Sequence, residues 1–320
     1  MDYKNEIGLR YKEKLNNELN EYDCSSVIRS FFGGLSSEVS KYNYWITIRN
    51  FLEYMIDNKV IDNTMNDITC DDLNSIKMSN AMDYFNSIND DYKKSSMATK
   101  KKQLSSFFTF LKNNRDVDMN IIDAMPPKFK YKPPKTDKFP HKDDVDKMLI
   151  KASSNKNRFM RSRNLAIFYM FLGSGIRLTE LCCLDIDDVD LDNESINVMR
   201  KGNYDEEYKD EVYLYGSIMT YLKDWMIQRE LSGVTGNALF VNGKGERLSE
   251  KTVQYLFKQY SGSKVTPHMM RHLYATTLYE KSGHDESLVQ DNMGHSLGSS
   301  VTLDSYITTR ETNRELFKTL

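Results

Sequence analysis

Residues 126–142 read PPKFKYKPPKTDKFPHK, and this stretch decides how the rest of the chain divides. Pro126, Pro127, Pro133, Pro134 and Pro140 are five of the six prolines among 320 residues. Each removes a backbone donor and restricts the residue before it, so neither a regular helix nor a central strand runs through them. Six lysines stand here against one aspartate, whereas the whole chain has 44 Lys+Arg, 46 Asp+Glu and a net charge of -2. That balance argues against indiscriminate affinity for nucleic acid, which depends on cationic side chains displacing counterions from phosphates. Positive charge concentrated at a proline-rich joint is instead expected where a polyanion passes between two domains. The expected organisation is a domain over 1–125, a semi-extended basic linker over 126–142 and a second domain over 143–320, sizes ordinary for folding units. Lys128, Lys130, Lys132 and Lys135 are the linker's candidate phosphate contacts.

Upstream of the linker every pattern is helical. SSEVSKYNYWITIRNFLEYMIDN (36–58) opens on capping serines and places Tyr44, Ile48, Phe51, Leu52 and Met55 at helical spacing. TCDDLNSIKMSNAMDYFNSI (69–88) and SSMATKKKQLSSFFTFLKNN (95–114) repeat the arrangement of a cap followed by an apolar stripe. The expectation is a small helical bundle. Lys93, Lys94, Lys100, Lys101 and Lys102 form its basic cluster, a candidate phosphate contact or an ordinary solvated face.

Downstream the pattern is mixed. Helices are expected at HKDDVDKMLIKAS (141–153), NRFMRSRNLAIFYMFLGSG (157–175), SIMTYLKDWMIQRE (217–230), EKTVQYLFKQYS (250–261), PHMMRHLYATTLYEKSG (267–283) and DESLVQDNMG (285–294). Strands at ESINVMRKG (194–202) and DEVYLYG (210–216) flank a long polar turn, as in a hairpin. The fold class expected is mainly α with a small antiparallel β-sheet. No apolar run approaches the roughly 20 residues of a membrane span, and the N-terminus lacks a signal-peptide core, so a cytoplasmic protein with no membrane partner is expected. Cys24, Cys70, Cys182 and Cys183 lack metal-ligand spacing and read as thiols of the core. The aspartates of LDIDDVDLDNES (184–195) fail as a calcium loop, because the position needing glycine is Asp190 and that needing glutamate is Ile196. Gly243 and Gly245 are too few to cradle a nucleotide, so no metal and no cofactor is expected.

The chemistry rests on scattered residues of the second domain. In TPHMMRH, Thr266 suits a cap, Pro267 suits the first helical position, and His268 and Arg271 share one face three residues apart. A helix N-terminus carries partial positive charge and unpaired amides, a natural anion site to which a histidine and an arginine add donors. Arg177 lies where two glycines interrupt LAIFYMFLGSG and a new helix begins, placed to offer its planar fork to a phosphate. Glu180 either holds that fork or pairs on the surface. Lys201 sits at the junction of strand and turn, and His295 and Tyr306 follow the last expected helix after Gly294. Tyr306 is one of 20 tyrosines, and Tyr274 and Tyr279 read as helix packing.

These residues resemble the tyrosine recombinases, the phage-integrase family that includes the Xer-type recombinases. GIRLTEL (175–181) is similar to the family's G-x-R-x-x-E-L, KGN (201–203) to its hairpin lysine, His268 and Arg271 to its H-x-x-R, and Gly294–Ser296 to its G-H-S. The resemblance implies a helical core-binding (SAM-like) domain and a mixed α/β catalytic domain closing around DNA as a C-shaped clamp. Tyr306 would attack the scissile phosphate, forming a 3′-phosphotyrosyl bond and expelling a 5′-hydroxyl. Arg177 and Arg271 would stabilise the pentacoordinate phosphate, while His268 and His295 would contact its oxygens and help move the phenol's proton. Lys201 would protonate the leaving oxygen, with Lys209, beyond the acidic turn GNYDEEYK, as the second candidate. Implied partners are double-stranded DNA with short inverted-repeat core sites, a homotetramer on paired sites, and an accessory protein that sets direction. Leu316, Phe317 and Leu320 would dock on a neighbouring protomer or on their own domain. The implied job is integration, excision or resolution. A type IB topoisomerase and a noncatalytic DNA-binding relative are the alternatives.

Overall fold

The computed structural model describes residues 3–129, 139–200, 209–214 and 216–294. The chain divides into two compact units, Met1–Thr136 and Asp137–Leu320.

The regular elements of the first unit's described residues are all helices, and its α-helices are α1 (Tyr3–Glu21), α2 (Ser26–Gly33), α3 (Glu38–Asp57), α4 (Cys70–Ser75), α5 (Met78–Ser87) and α6 (Lys94–Asn113). Ser37 caps α3 by accepting the amide of Ser40, and the stripe Ile48, Phe51, Leu52 and Met55 is fully buried. Phe31 of α2 meets Phe107 of α6 edge to face at 5.3 Å, and Phe51 meets Tyr84 at 5.2 Å. Each such pair adds roughly 0.5–1.5 kcal/mol to the area it buries. Where a helix starting at residue 36 was expected to open the bundle, α1 and α2 precede it. The apolar signal of α1 is thin, because Leu15 and Leu19, one turn apart, are its buried side chains in the core. Its polar face is used instead: Glu18 accepts hydrogen bonds from Tyr42 Oη, Trp45 Nε1 and Arg49 Nη1, each 2.7 Å long. The segment 69–88 is two helices, since the chain turns extended at Ile76 (φ -69°, ψ 113°) before Asn80 accepts the amide of Lys77.

The second unit contains α7 (Lys142–Ser153), α8 (Arg158–Ser174), α9 (Leu178–Cys183), α10 (Ser217–Leu231), α11 (Glu250–Ser261), α12 (Pro267–Lys281) and α13 (Glu286–Met293). Three short strands, β1 (Val189–Asp190), β2 (Ser195–Val198) and β3 (Asp210–Tyr213), make an antiparallel sheet in chain order. The protein is thus mainly α with one small antiparallel sheet. Helix α8 is apolar around most of its circumference and correspondingly buried, with Ile167, Phe168, Met170 and Phe171 inaccessible. Val189 faces Ile196, which faces Val212, so that the inward positions of the sheet join the core. Strand β1 lies inside the aspartate-rich stretch that reads as a polar turn; two residues are too few to show alternation. Burial raises the thiol pKa of Cys182, and that of Cys24 to about 11, which leaves both as inert core groups. Among the described residues no helix is long and apolar enough to cross a membrane.

Candidate active site

Helix α8 ends at Gly175 with φ at +60°, a left-handed conformation that glycine adopts without a steric penalty. A Cβ there would also lie 2.4 Å from the Tyr274 ring and 2.9 Å from Met293 Sδ, so glycine is required for space as well. After the reversal α9 starts three residues later, at Leu178, with Arg177 as its N-cap.

Arg177 is tied down on both arms of its fork. Nη1 donates to Glu180 Oε1 at 2.6 Å and Nη2 donates to the Gly294 carbonyl at 3.0 Å, while its backbone amide donates to Glu180 Oε2 at 2.8 Å. The side chain stays 24% exposed, so the guanidinium keeps access to a ligand. Glu180 is buried, which decides between its two sequence readings: it holds the arginine from within. Arg271, one turn into α12, is buried too. It donates through Nη1 to the Gly175 carbonyl and through Nη2 to the Met293 carbonyl, the latter at 2.6 Å. Thr266 caps α12 by accepting the amide of Met269, and Pro267 takes the first position, as the motif requires.

A third arginine completes the set. Arg200 donates through Nη2 to the Asn292 carbonyl at 2.9 Å, through Nη1 to Glu180 Oε2 at 3.3 Å and through Nε to Asp210 Oδ2 at 3.1 Å. The carbonyls of Asn292, Met293 and Gly294, the C-terminal end of α13, therefore each accept from a different arginine. Helix ends leave such carbonyls without an intrahelical partner, and the partial negative charge there suits cations. Against three guanidinium charges stand the carboxylates of Glu180 and Asp210, an excess of one positive charge among these groups, which suits an anionic ligand. Sequence reasoning missed Arg200, although a signal exists: Ile196, Val198 and Arg200 follow the inward period-two register of β2.

His268 stands in the first turn of α12, exposed, with Nε2 2.8 Å from Nε2 of the buried His272 one turn on. At that spacing one nitrogen donates and the other accepts, so the facing atoms share a single proton. His272 in turn meets the Phe139 ring edge to face at 6.2 Å.

Lys209 has a different occupation. Its Nζ lies 2.5 Å from Asp188 Oδ1, and the other oxygen of this buried carboxylate accepts the amide of Asp185. The pair fastens the start of β3 to the turn before β1. Lys209→Met is expected to cost about 1–3 kcal/mol in a urea denaturation curve, the penalty for stranding a buried carboxylate. An unchanged urea midpoint would show that this pair contributes nothing to the fold.

The basic cluster of the first unit does not form one stripe. Lys94 and Lys101 lie to one side of the buried row Met97, Leu104, Phe107, Phe108 and Leu111, Lys100 is half-buried beside that row, Lys102 is exposed, and Lys93 is the exposed N-cap. Lys100 lies over the Tyr92 ring at 4.4 Å, and burial holds its ammonium below the usual lysine pKa. Lys128 lies over the Phe129 ring at 4.8 Å. Lys130, Lys132, Lys135, Lys201, His295 and Tyr306 lie outside the described residues. Of the six residues expected to carry chemistry, Arg177, His268 and Arg271 are thus described. Arg177 and Arg271 meet at the end of α13, immediately before His295 in the chain.

The profile of the phage integrase family matches residues 139–312. Tyrosine recombinase XerC of Vibrio vulnificus (strain YJ016) is 33% identical over 209 residues, 63% of this chain and 63% of that protein. XerC of Escherichia coli O1:K1 / APEC is 31% identical over 217 residues, 66% of this chain and 70% of the relative. The match thus spans 63% of the length of the first of these relatives. Among solved structures, the Tn1549 transposon integrase in complex with circular intermediate DNA superposes with a TM-score of 0.65 at 18% identity, covering 92% of this chain and 94% of that one. A lambda integrase dimer bound to a core site gives 0.62 at 18% identity, covering 92% and 96%. At these identities the likeness is one of fold.

Proposed function

The chain belongs to the phage integrase family, and from that premise we propose that it is a site-specific recombinase that cuts and rejoins DNA through a 3′-phosphotyrosyl intermediate. The observation that carries the reading is the meeting of Arg177 and Arg271, 94 positions apart in sequence, on the adjacent carbonyls of Gly294 and Met293. Two preorganised guanidinium groups with a surplus of positive charge can hold a phosphodiester and stabilise the extra negative charge of its pentacoordinate state. Arg177 has five N–H donors, of which two go to Glu180 and Gly294 among the described residues, so a phosphate oxygen can be added to an arm already in place.

In this reading the Tyr306 oxygen attacks phosphorus and the bond to the 5′ oxygen breaks. His268 and His295 contact the non-bridging oxygens and take part in removing the phenol's proton. The pairing of His268 with His272 fixes the orientation of the His268 ring. Lys201 gives a proton to the departing 5′ oxygen. The bond energy stays in the phosphotyrosyl ester, so resealing by a 5′-hydroxyl needs no nucleotide cofactor. The partners are double-stranded DNA carrying inverted-repeat core sites and further copies of the chain, four on two paired sites, with an accessory protein where one direction is favoured. XerC relatives and a transposon integrase fit either a Xer-like resolvase or a compact mobile-element integrase. Lysines of α6 and of the linker supply sequence-independent phosphate contacts.

A nicked suicide duplex built from the DNA flanking the chain's own gene tests the reading. Wild-type protein is expected to form an adduct that survives denaturation, and a plasmid bearing two paired sites should recombine. No adduct on any flanking segment would refute the proposal. Relaxation of supercoiled plasmid without need of a paired site would favour topoisomerase chemistry instead.

A further inference from the structure

Arg200 is 6% exposed, yet it lies outside the set of residues to which the reaction has been assigned. Its guanidinium bonds in three directions to three elements: Glu180 of α9, Asp210 of β3 and the Asn292 carbonyl of α13. The backbone of Gly294 passes close beside it, for a Cβ there would fall 2.6 Å from Arg200 Cδ and Nε, and Gly294 has φ at +57°. Such a side chain has one rotamer compatible with all its partners. Its own backbone is therefore held as firmly as the groups it binds.

We propose that Arg200 is the positioning residue for the proton donor of the cleavage step. It ties the residue that precedes Lys201 in the chain, two positions beyond β2, to the end of α13. Neighbouring Cα atoms are about 3.8 Å apart across a trans peptide, so a fixed residue 200 limits where the next side chain can begin. A lysine is a point charge on a flexible four-carbon stem, and its reach to a given oxygen depends on where that stem begins. Misplacement by about 1 Å can cost about 10² in rate. Arginine suits the task because its planar fork serves several acceptors at once, which an ammonium on a single stem cannot reproduce. The proposal rests on the reading of Lys201 as the acid that protonates the 5′ oxygen.

Two suicide duplexes of one sequence separate this role from a purely structural one. The first has the ordinary bridging 5′ oxygen: as the Tyr306 oxygen bonds to phosphorus, the P–O5′ bond breaks with its electron pair on O5′, which takes a proton from Lys201. The second has sulfur at that bridge, and the thiolate leaves as an anion with no proton needed. Lys201→Ala is expected to cleave the oxygen substrate about 10²–10⁴ times more slowly than wild type, and the sulfur substrate within a few-fold of it. Arg200→Met should show the same pattern with a loss of about 10²-fold on oxygen. Arg200→Lys, which keeps the charge but not the fork, should lose less and be restored in the same way. Equal loss on both substrates for the Arg200 variants, or no loss on either, overturns the proposal. If Lys201→Ala is restored by sulfur and the Arg200 variants are not, the positioning role alone fails. If Lys201→Ala is not restored, the proton-donor reading falls and takes the positioning role with it. Circular dichroism and duplex binding establish that each variant is folded, and should Arg200→Met not fold, Arg200→Lys is judged by the same criterion.

Discussion

Tyr306→Phe is expected to bind its DNA site with wild-type affinity and to form no covalent adduct with a nicked suicide duplex. Phenylalanine keeps the ring and removes the one atom that can bond to phosphorus, so no slower version of the same route exists. Duplex affinity comes from cationic side chains, none of which changes. The variant therefore separates binding from chemistry: gel retardation should be unaltered while the protein–DNA band in a denaturing gel disappears. The chain has 20 tyrosines, and Tyr274 and Tyr279 sit on α12, the helix that carries His268 and Arg271. Tyr274 packs against the reversal at Gly175, and Tyr279 stacks edge to face on His284 at 4.9 Å. Both are committed to packing, so neither should take over. An adduct formed by Tyr306→Phe would sink the assignment, and peptide mapping of that adduct would name the true nucleophile.

Arg271→Ala is expected to be the most damaging single change among the described residues. Removing one preorganised donor group from a site that stabilises developing negative charge costs on the order of 10²–10³ in rate. Arg271 carries a second burden, since its fork joins the Gly175 carbonyl to the Met293 carbonyl. Each buried acceptor left without a partner costs about 1–3 kcal/mol, so the variant should melt at a lower temperature as well. Arg271→Lys keeps the charge and loses the bridge between two carbonyls. It should recover part of the stability and little of the cleavage, because one ammonium cannot reproduce two fixed N–H directions. Single-turnover cleavage beside a urea titration reads both effects. Wild-type cleavage by a folded Arg271→Lys would show that geometry matters less than charge here.

The parts of this protein that were legible in the sequence are those with a local signature. Helix α12 announces itself through Thr266 and Pro267, and the stripe of α3 through Ile48, Phe51, Leu52 and Met55. The reversal between α8 and α9 follows from Gly175, whose positive φ places Arg177 at a helix start. What escaped depends on contacts distant in the chain. Helix α1 is held by Leu15, Leu19 and the Glu18 carboxylate, and a pattern search finds nothing to hold on to until α3 supplies Trp45 and Arg49 as partners. Arg200 was passed over because an arginine near a turn reads as exposed; its burial depends on Glu180, 20 positions earlier, and Asn292, 92 later. Lys93, Lys94, Lys100, Lys101 and Lys102 lie at the start of α6 as the sequence suggests, and Lys100 lies over Tyr92, a contact no local pattern announces. The six residues expected to carry the chemistry stand out in the sequence by their order, and Arg177, His268 and Arg271 are the three among the described residues.

The end of α13 has one further consequence. Each of the three guanidinium groups already spends one arm on a neutral carbonyl, so a phosphate that takes over such an N–H, rather than adding to one left over on Arg177, gains the difference between two acceptors. A charged acceptor makes a bond roughly twice as strong as a neutral one, so an anion wins that contest. Water, a sugar hydroxyl or a base carbonyl gains almost nothing. The resting hydrogen bonds thus act as a threshold: they quench the attraction of the arginines for uncharged polar matter and leave them responsive to the backbone of a nucleic acid.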